Sequence, residues 1–551
     1  MTETVSAAVF SHPRWRFWPG MLIALSFLVL VLAGLVSLLQ AAGSLDPSNV
    51  LGNRYLRGVV TFTVWQALLS VLMSLGLALP IALALARHSR FPGRSALLRL
   101  MELSLVLPTI VAVSGIIVVY GRQGWFTSAV SAWLPDHGWN LYGLNGILLA
   151  HVFFNAPLAA RILLQALESV PEPRLRIAAQ LGLQSVWLWR AVQWPALKPV
   201  LPGVIALVFT LCFTSFAIIM TLGGGPSATT LEVAIYQSLR FEMDFSQAAI
   251  LALIQLAICA SLWWLAFRCR ADTGLLPTSA RTPHLQVPGW PGQTLINGAL
   301  VGLFSAFLLA PLVATTARGL PALFSPEGLA AIQNQLLPAT GRSLLIAVPA
   351  GLGSVVIALL TLAAARQSEG RWHSGLPVVT GYLPLIIPPL VLGTGLFILL
   401  RPSPGTPSEG WVLVSLINSL MAVPFVLQVL RGPFLSVDAH TLRQADQLGI
   451  LGWHRWRWIF WPLLRRPMAL GLAYGITLSM GDFGVIAIFG SPGQPTLPVL
   501  LYQQLGSYRV ESAAGTALWL LALLLIIFAG LSGLTRPKGV FRTIQRRSPY
   551  A

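Results

Sequence analysis

Asp482 is the ionisable side chain best placed for chemistry in this sequence, because it lies within a long apolar run and Phe483 follows it directly. A carboxylate beside an aromatic ring can hold a cation for a short time, through charge attraction and a cation–π contact. The alternative is a structural role, in which the carboxylate caps a helix or bonds to a neighbouring helix. The sequence predicts a transient cation site at Asp482 and leaves the structural role open.

Two further ionisable residues in apolar runs, Glu102 and His151, have structural explanations. Glu102 lies about one helical turn from Arg99, and a single histidine in an apolar run is more often hydrogen-bonded than reactive. Asn155 and Asn418 are suited to hydrogen bonds between helices. We therefore expect these residues to stabilise the packing of helices.

The sequence carries no catalytic, metal-binding or nucleotide-binding motif. The His, Asp and Glu residues in the apolar runs are single and scattered, which disfavours a membrane-embedded enzyme. The three cysteines have no metal-ligand spacing. The glycines at 223–225 are not followed by the Lys-Ser or Lys-Thr of a phosphate loop. We expect no bound metal or cofactor, and any ATP that drives this protein must be hydrolysed by a separate subunit.

Membrane helices must position these residues, because the composition excludes a soluble protein. Of the 551 residues, 56% are apolar and 9% are charged, whereas roughly a quarter of a soluble chain is charged. We expect an all-α polytopic membrane protein with about 12 transmembrane helices, since a span needs roughly 20 apolar residues. The expected spans are about 20–41, 58–85, 98–119, 144–166, 200–222, 247–267, 295–317, 342–365, 377–399, 411–430, 469–489 and 513–533. The first run is too long for a cleaved signal peptide.

The basic residues predict the orientation of these helices. If the spans alternate in direction, 26 of the 35 Lys and Arg residues fall on the side that holds both termini, and 8 fall on the other side. Basic loops stay on the cytoplasmic side, so both termini are predicted to be cytoplasmic. Topology thus explains the net charge of +18, which gives no support to nucleic-acid binding.

An internal repeat divides the chain into two halves. Residues 169–197 and 436–464 align without gaps at an offset of 267, and 13 of the 29 positions are identical. Residues 230–239 match 496–505 at an offset of 266. Six spans separate the copies, so both have the same orientation and form two parallel six-helix repeats. An ion-coupled secondary transporter can also contain parallel repeats, but it would need several charged residues within its spans.

Six segments follow from this repeat. They are an N-terminal tail with the first helix (1–56), a first repeat domain (57–268), a linker (269–294), the seventh helix with an outer loop (295–341), a second repeat domain (342–535) and a basic cytoplasmic tail (536–551).

Each half carries one copy of a patterned cytoplasmic loop. Helix formers lead to Gly182 in the first copy and to Gly449 in the second, where a left-handed cap is easy for glycine. A second helix is predicted to end before Pro195 and before Pro462, thirteen residues after each glycine. A simple amphipathic helix at the membrane interface is the alternative. Two copies with identical spacing instead indicate a surface for a shared partner.

An Ala-x-x-Leu-Gly segment followed thirteen residues later by Pro resembles the EAA loop in permeases of binding-protein-dependent bacterial ABC importers. In that family the loop docks into a cleft of the ATPase subunit. The resemblance implies that Ala178, Gly182, Ala445 and Gly449 are docking positions, with Pro195 and Pro462 closing the two loops. The glutamate that names the motif is replaced by Arg176 and Arg443, so its salt contact with the ATPase is not expected here.

Further segments resemble the fused permeases of thiamine ABC importers more closely than the iron and sulfate types. They are Leu175 to Gly182, Thr230 to Leu239, Ser479 to Val485, Thr496 to Pro498 and Leu501 to Arg509.

The resemblance implies an inner-membrane permease that works with two copies of an ABC ATPase subunit and a periplasmic thiamine-binding protein. Its cargo would be thiamine, with or without its phosphates. A thiamine cation would pass Asp482 and Phe483 in one half and the corresponding Ser215 and Phe216 in the other. A permease for ferric iron or another small ion or solute is the alternative.

Overall fold

The computed structural model describes residues 18–43, 52–88, 91–133, 139–183, 185–225, 228–269, 292–367, 376–399, 410–490 and 493–533. Every regular element in these ranges is a helix, as expected for a backbone in lipid, which must satisfy its hydrogen bonds internally. The predicted C-terminal tail, almost the whole predicted linker and residues 1–17 lie outside the described ranges.

The first half contains thirteen described α-helices. They are α1 (Trp18–Ala41), α2 (Arg54–Arg87), α3 (Arg94–Val106), α4 (Thr109–Tyr120), α5 (Trp125–Ser131), α6 (Leu144–Glu168), α7 (Glu172–Gln180), α8 (Ser185–Leu188), α9 (Trp194–Leu197), α10 (Leu201–Phe213), α11 (Phe216–Leu222), α12 (Leu231–Gln237) and α13 (Phe245–Arg268). Turns of π-helix occupy Trp189–Gln193 and Ser238–Glu242.

The second half contains twelve described α-helices. They are α14 (Gln293–Phe324), α15 (Pro326–Ala331), α16 (Leu337–Gln367), α17 (Leu376–Tyr382), α18 (Pro389–Leu399), α19 (Gly410–Leu435), α20 (Ala439–Gln447), α21 (Gly452–Arg455), α22 (Trp461–Gly481), α23 (Gly484–Phe489), α24 (Leu497–Gly506) and α25 (Val510–Gly533). Turns of π-helix occupy Ile332–Leu336 and Trp456–Phe460, and Leu383–Leu385 is a turn of 3-10 helix.

Eight helical stretches in the described chain are long and apolar enough to cross a membrane. A ninth is obtained if the segment Val186–Leu197 and α10, which meet at 60°, are counted as one span. The span predicted at 469–489 does not meet this criterion as a single helix, and the shorter apolar helical stretches Leu28–Ala41 and Pro389–Leu399 lie within the spans predicted at 20–41 and 377–399. The polytopic all-α architecture is confirmed, and the count of twelve spans stays a prediction.

Four predicted spans are interrupted helices rather than continuous ones. The breaks lie at 107–108 between α3 and α4, at 214–215 between α10 and α11, at 383–388 between α17 and α18, and at 482–483 between α22 and α23. Pro108 has no backbone N–H, and Leu107 before it is extended, as is usual before proline. Hydropathy alone does not detect such breaks, because the side chains on both sides remain apolar.

Three predicted domain boundaries fall inside helices. The boundary at 56/57 lies in α2, the boundary at 294/295 lies in α14, and the boundary at 341/342 lies in α16. The outer loop expected before residue 342 is helical through α15 and the π-turn that leads into α16. The remaining boundaries stay predictions.

The first helix of each half packs against helices of the other half. Helix α1 packs against α16 and α18, and α14 packs against α2 and α4. These crossings are very close, since a Cβ atom on Gly395 would lie 2.4 Å from the Gly34 carbonyl oxygen and one on Gly115 would lie 2.3 Å from the Pro311 carbonyl oxygen. Small residues allow membrane helices to approach in this way. The two repeats are therefore interlocked around a shared centre.

Candidate functional site

Asp482 and Ser215 lie at equivalent helix breaks, as the offset of 267 predicts. Asp482 follows α22 with extended backbone angles, φ −70° and ψ 126°. Ser215 follows α10 and precedes α11, with φ −86° and ψ 85°. Irregular backbone within a membrane protein is tolerated where it is buried in protein or lines a cavity. The structure thus places both residues where a cavity is expected.

A cavity of about 350 Å³ lies between the two halves, and all four residues predicted for the pathway line it. Asp482 and Phe483 line it from the second half, and Ser215 and Phe216 line it from the first. The lining also includes Glu232. No Lys or Arg occurs among the described residues that line this cavity.

A row of four aromatic rings crosses the boundary between the halves beside this cavity. The rings of Phe216 and Phe483 stack with their centroids 5.4 Å apart. Tyr236 packs against Phe216 at 5.2 Å, and Tyr502 packs against Phe483 at 4.8 Å. The two tyrosines correspond at the offset of 266, so the row is nearly symmetric. Such a row can close one end of the cavity.

Asp482 is only weakly engaged as a helix cap. Its Oδ1 atom accepts a hydrogen bond from the Val485 N–H at 3.5 Å, which is long for such a bond. Its Oδ2 atom is buried and has no hydrogen-bond partner in the described part of the chain. The capping alternative therefore accounts for one carboxylate oxygen at most, and the pathway role stays a prediction.

Glu232 is a second acidic residue at the cavity. It lies in the first turn of α12 and is 2% exposed. Its Oε1 atom accepts a hydrogen bond of 2.6 Å from Nε2 of Gln255 on α13. The N-terminus of α12 is itself fixed, since the Leu231 N–H donates to Thr63 Oγ1 at 3.0 Å. The carboxylate is thereby held in place against the cavity.

The other polar residues make hydrogen bonds or an ion pair, as a structural role predicts, and His151 also lines the cavity. His151 is buried, and its ring nitrogens lie 2.8 Å from Ser70 Oγ and 2.7 Å from Ser215 Oγ. Glu102 pairs with Arg161 at 2.5 Å rather than with Arg99, because the two residues of the pair meet from neighbouring helices.

The two asparagines bond between helices in the same way in both halves. Asn155 Nδ2 donates to Cys212 Sγ at 3.2 Å, and Asn418 Nδ2 donates to Ser479 Oγ at 3.0 Å. Cys212 and Ser479 are related by the offset of 267. Asn155 thus joins α6 to the end of α10, just before Ser215. Asn418 joins α19 to the end of α22, just before Asp482.

The two patterned loops have the same backbone geometry. Gly182 and Gly449 adopt φ values of +63° and +70°. In the first copy the Leu183 N–H bonds to the Ala178 carbonyl at 3.0 Å, and in the second the Ile450 N–H bonds to the Ala445 carbonyl at 2.8 Å. This left-handed helix end is the one predicted from the sequence. Each glycine thus has a local conformational role, and its docking role stays a prediction.

The helices after these glycines do not end before the prolines. Helical backbone continues through Pro195 to Leu197 and through Pro462 into α22. In both copies a π-turn ends two residues before the proline, and its wider hydrogen-bond spacing relieves the usual clash of proline with the preceding turn. The prediction of helix ends at these positions was therefore wrong, and the two prolines lie within continuous helical segments.

The loops expose apolar side chains around the predicted docking positions. Ala178 and Ala445 are buried, and Pro195 and Pro462 are exposed. The exposed apolar residues are Ile177, Leu181, Val186, Trp187 and Trp194 in the first copy and Leu448, Leu451, Trp453, Trp458 and Trp461 in the second. Arg176 pairs with Glu172 on its own helix at 2.7 Å.

Comparison with known proteins gives the family. The family described as binding-protein-dependent transport system inner membrane component matches residues 76–269. The thiamine transport system permease proteins of Salmonella typhimurium and Escherichia coli are each 42% identical to this chain, over 94% of it and 96% of the relative. That of Brucella abortus is 38% identical, over 93% of this chain and 95% of the relative. The chain belongs to the thiamine transport system permease family.

Membership of this permease family identifies the chain as a multi-pass membrane transport subunit rather than an enzyme. The three relatives named above extend over both halves of this chain, whereas the broader family match covers only the first half. None of the three is named for ferric iron, so the comparison does not favour that alternative.

Sequence reasoning about this permease missed Glu232. Residues 230–239 were used only as part of the repeat, and Glu232 falls between the predicted spans 200–222 and 247–267. An ionisable residue is conspicuous within an apolar span, and Glu232 lies outside the predicted spans. The repeat gives a signal for it, because the two copies differ at this position: Glu232 in the first corresponds to Pro498 in the second.

Proposed function

We propose that this chain is the transmembrane subunit of an ATP-driven, binding-protein-dependent importer that moves thiamine from the periplasm to the cytoplasm. The observation that carries the proposal is identity of 42% over 94% of the chain with proteins named as thiamine transport permeases. The central cavity between the two halves is consistent with a translocation route. Thiamine phosphates are candidates for the same route.

The proposed setting is the bacterial inner membrane, with both termini in the cytoplasm. The distribution of basic residues supports this orientation. On that side, the loops around Gly182 and Gly449 would each dock into one subunit of an ABC ATPase dimer. Their shared geometry and exposed apolar side chains support two equivalent docking sites. ATP would be used by the partner, and this chain would bind no cofactor.

Reconstituted transport tests the cargo and the energy source together. The permease, its ATPase and its thiamine-binding protein are placed in liposomes, and uptake of labelled thiamine is measured with ATP inside. Uptake should require ATP and the binding protein. An ATPase variant without hydrolysis is the control. Uptake that persists with that variant under a proton or sodium gradient would instead indicate a secondary transporter, and uptake of ferric iron alone would overturn the cargo.

The proposed complex contains one permease chain, two ATPase subunits and one binding protein. A single chain with two coupling loops already serves both subunits of an ATPase dimer. Native mass spectrometry of the purified complex in detergent measures this composition. Two permease chains per complex would contradict the proposal.

A further inference from the structure

The central cavity is lined by two acidic side chains, Glu232 and Asp482, and by one histidine, His151. No Lys or Arg lines it among the described residues. Glu232 is 2% exposed, and burying a carboxylate in a membrane protein costs several kcal/mol unless a partner compensates it. Gln255 is neutral, so its hydrogen bond to Glu232 supplies no positive charge.

Both carboxylates retain unused hydrogen-bonding capacity at the cavity. Asp482 Oδ2 is buried without a partner in the described part of the chain. Within the same part of the chain, Gln255 is the only donor to the Glu232 carboxylate, and it reaches Oε1. Most buried polar atoms of a folded protein are satisfied, so a buried Asp482 oxygen without a partner, at a cavity that a second acid also lines, indicates a group that arrives from outside.

The duplicated fold shows that neither acid is needed to build the local backbone. The helix break at Asp482 is repeated at Ser215, and the start of α24, where Pro498 stands in place of Glu232, repeats the start of α12. The N-terminus of α24 is fixed as that of α12 is, because the Leu497 N–H donates to Ser343 Oγ at 3.0 Å. At each of the two positions, a similar local backbone therefore forms with an acid in one half and without one in the other.

We propose that Glu232 and Asp482 together make this cavity a binding site for a singly charged organic cation. The inference rests on the proposed function, because it assigns the passing cargo to this cavity. The volume of about 350 Å³ falls within the range of small-molecule pockets. Phe216, Phe483 and Phe425 also line the cavity, so aromatic rings of the kind that take part in cation–π contact lie beside the two acids.

A metal ion fits this site less well than an organic cation. Calcium takes six to eight oxygen ligands at short distance, and magnesium requires near-octahedral geometry. No group of three or more His, Cys, Asp or Glu residues in the described chain is arranged to hold a metal ion. Two carboxylates among aromatic rings instead match a larger ion whose charge is spread over a ring.

The charge of the cavity can be measured without using thiamine. Met421 lines the cavity and is partly exposed, so the Met421→Cys variant places a thiol there. The background is Cys269→Ser, because Cys269 is exposed whereas Cys212 and Cys259 are buried. In the complete complex during ATP turnover, labelling rates are compared for a trimethylammonium methanethiosulfonate and its sulfonate analogue of equal length.

The cationic reagent should react faster, and Glu232→Gln or Asp482→Asn should each lower the ratio of the two rates by at least about threefold. Glu232→Asp, which keeps the charge, should preserve most of the ratio. Glu511→Gln is the matched control, since Glu511 is exposed in the first turn of α25 and does not line the cavity. That control should leave the ratio unchanged.

Stability separates a site from a structural acid. Removing an uncompensated buried charge should leave the melting temperature of Glu232→Gln unchanged or raise it. A structural Glu232 would instead lower it, which would contradict the proposal.

An unchanged rate ratio in Glu232→Gln would overturn the assignment of Glu232, and failure of both reagents to react would show that no small cation enters the cavity. The labelling result does not depend on which cargo is carried. If wild-type liposomes take up no thiamine, the proposed function fails even when the cavity attracts cations. If they do take it up and the ratio is unaffected, only the site fails.

Discussion

At the scale of single residues, the two halves differ in where they place an acid at the cavity. The aromatic residues are duplicated as Phe216 and Phe483, whereas Asp482 corresponds to Ser215. Ser215 is bonded to His151 at 2.7 Å, and Asp482 leaves one oxygen without a partner. The duplicated backbone thus carries a satisfied hydroxyl in one half and an available carboxylate in the other.

Asp482→Asn should reduce thiamine uptake about tenfold, which corresponds to roughly 1.4 kcal/mol of lost attraction for a passing cation. The variant keeps the size and the Oδ1 acceptor of the side chain. Its melting temperature in detergent and its association with the ATPase should therefore remain near those of the unchanged protein. Uptake in liposomes and thermal melting are measured on the same preparation.

A structural aspartate would behave differently. Its loss would lower stability, ATPase association and uptake together. Full uptake by the Asp482→Asn variant would exclude the pathway role.

At the scale of elements, the two coupling loops join a left-handed helix end to a π-turn. Gly182 and Gly449 end α7 and α20, and the π-turns at Trp189–Gln193 and Trp456–Phe460 follow at the same spacing. No atom lies within 4 Å of a Cβ atom placed on either glycine. The space beside each glycine is therefore free for a partner, and the positive φ is the local constraint on the residue.

Gly182→Glu and Gly449→Glu should leave the protein inserted but lower ATPase association and uptake severalfold, because a charged side chain would enter the docking surface. Backbone strain also contributes, since a non-glycine residue with positive φ costs about 1 kcal/mol. Co-purification of the ATPase and uptake are the measurements.

Two control variants separate these effects. Gly182→Asn tests the helix end, because asparagine tolerates a left-handed conformation better than most residues. Gly93→Glu adds the same charge at another glycine with positive φ, +90°, outside both coupling loops. Normal association of the ATPase with both loop variants would show that the interface lies elsewhere.

The sequence predicts the elements of this permease better than the breaks within them. Apolar runs and basic loops indicate the helices, and the repeat indicates which residues correspond, so Ser215, Phe216, Asp482 and Phe483 could be placed together. The helix interruptions were not predicted, because hydropathy records side chains and not backbone angles. Helical continuity through Pro195 was also missed, since the rule for proline assumes ordinary α-helical spacing and a π-turn precedes it.

Glu232 was missed for a related reason. Its helix, α12, lies between predicted spans and reaches the cavity through tertiary packing against α13, α11 and α2. The position of Glu232 in the sequence does not show that this packing brings it to the cavity. The pairing of Glu102 with Arg161 was hidden in the same way, since it joins residues from different helices.

At the scale of the whole molecule, the first helix of each half packs against the other half and so joins the two halves. Helix α1 crosses α18 where Gly34 meets Gly395, and Ser37 Oγ donates to the Gly395 carbonyl at 2.6 Å. Helix α14 crosses α4 where Pro311 meets Gly115. Because the cavity lies between the halves, these two crossings position its walls relative to each other.

Gly115→Ala and Gly395→Ala should each destabilise the protein by about 1–3 kcal/mol, the usual range for overpacking a tight contact. The added methyl group would lie 2.3 Å or 2.4 Å from a backbone oxygen that cannot rotate away. The helices must therefore separate, which shifts one half against the other. Gly302→Ala in α14 is the matched control, since no atom lies within 4 Å of its added Cβ. It should stabilise the helix by about 0.5–1 kcal/mol.

Thermal melting in detergent and thiamine uptake distinguish interlocking from ordinary helix packing in these variants. If the crossings position the cavity walls, both tight variants lose uptake even at temperatures where they remain folded, because the residues of the two halves no longer meet. Both Gly115→Ala and Gly395→Ala should lower the melting temperature and the uptake, since each disrupts one of two equivalent crossings. Melting temperatures equal to that of Gly302→Ala, with normal uptake, would show that the first helices are peripheral to the transport pathway.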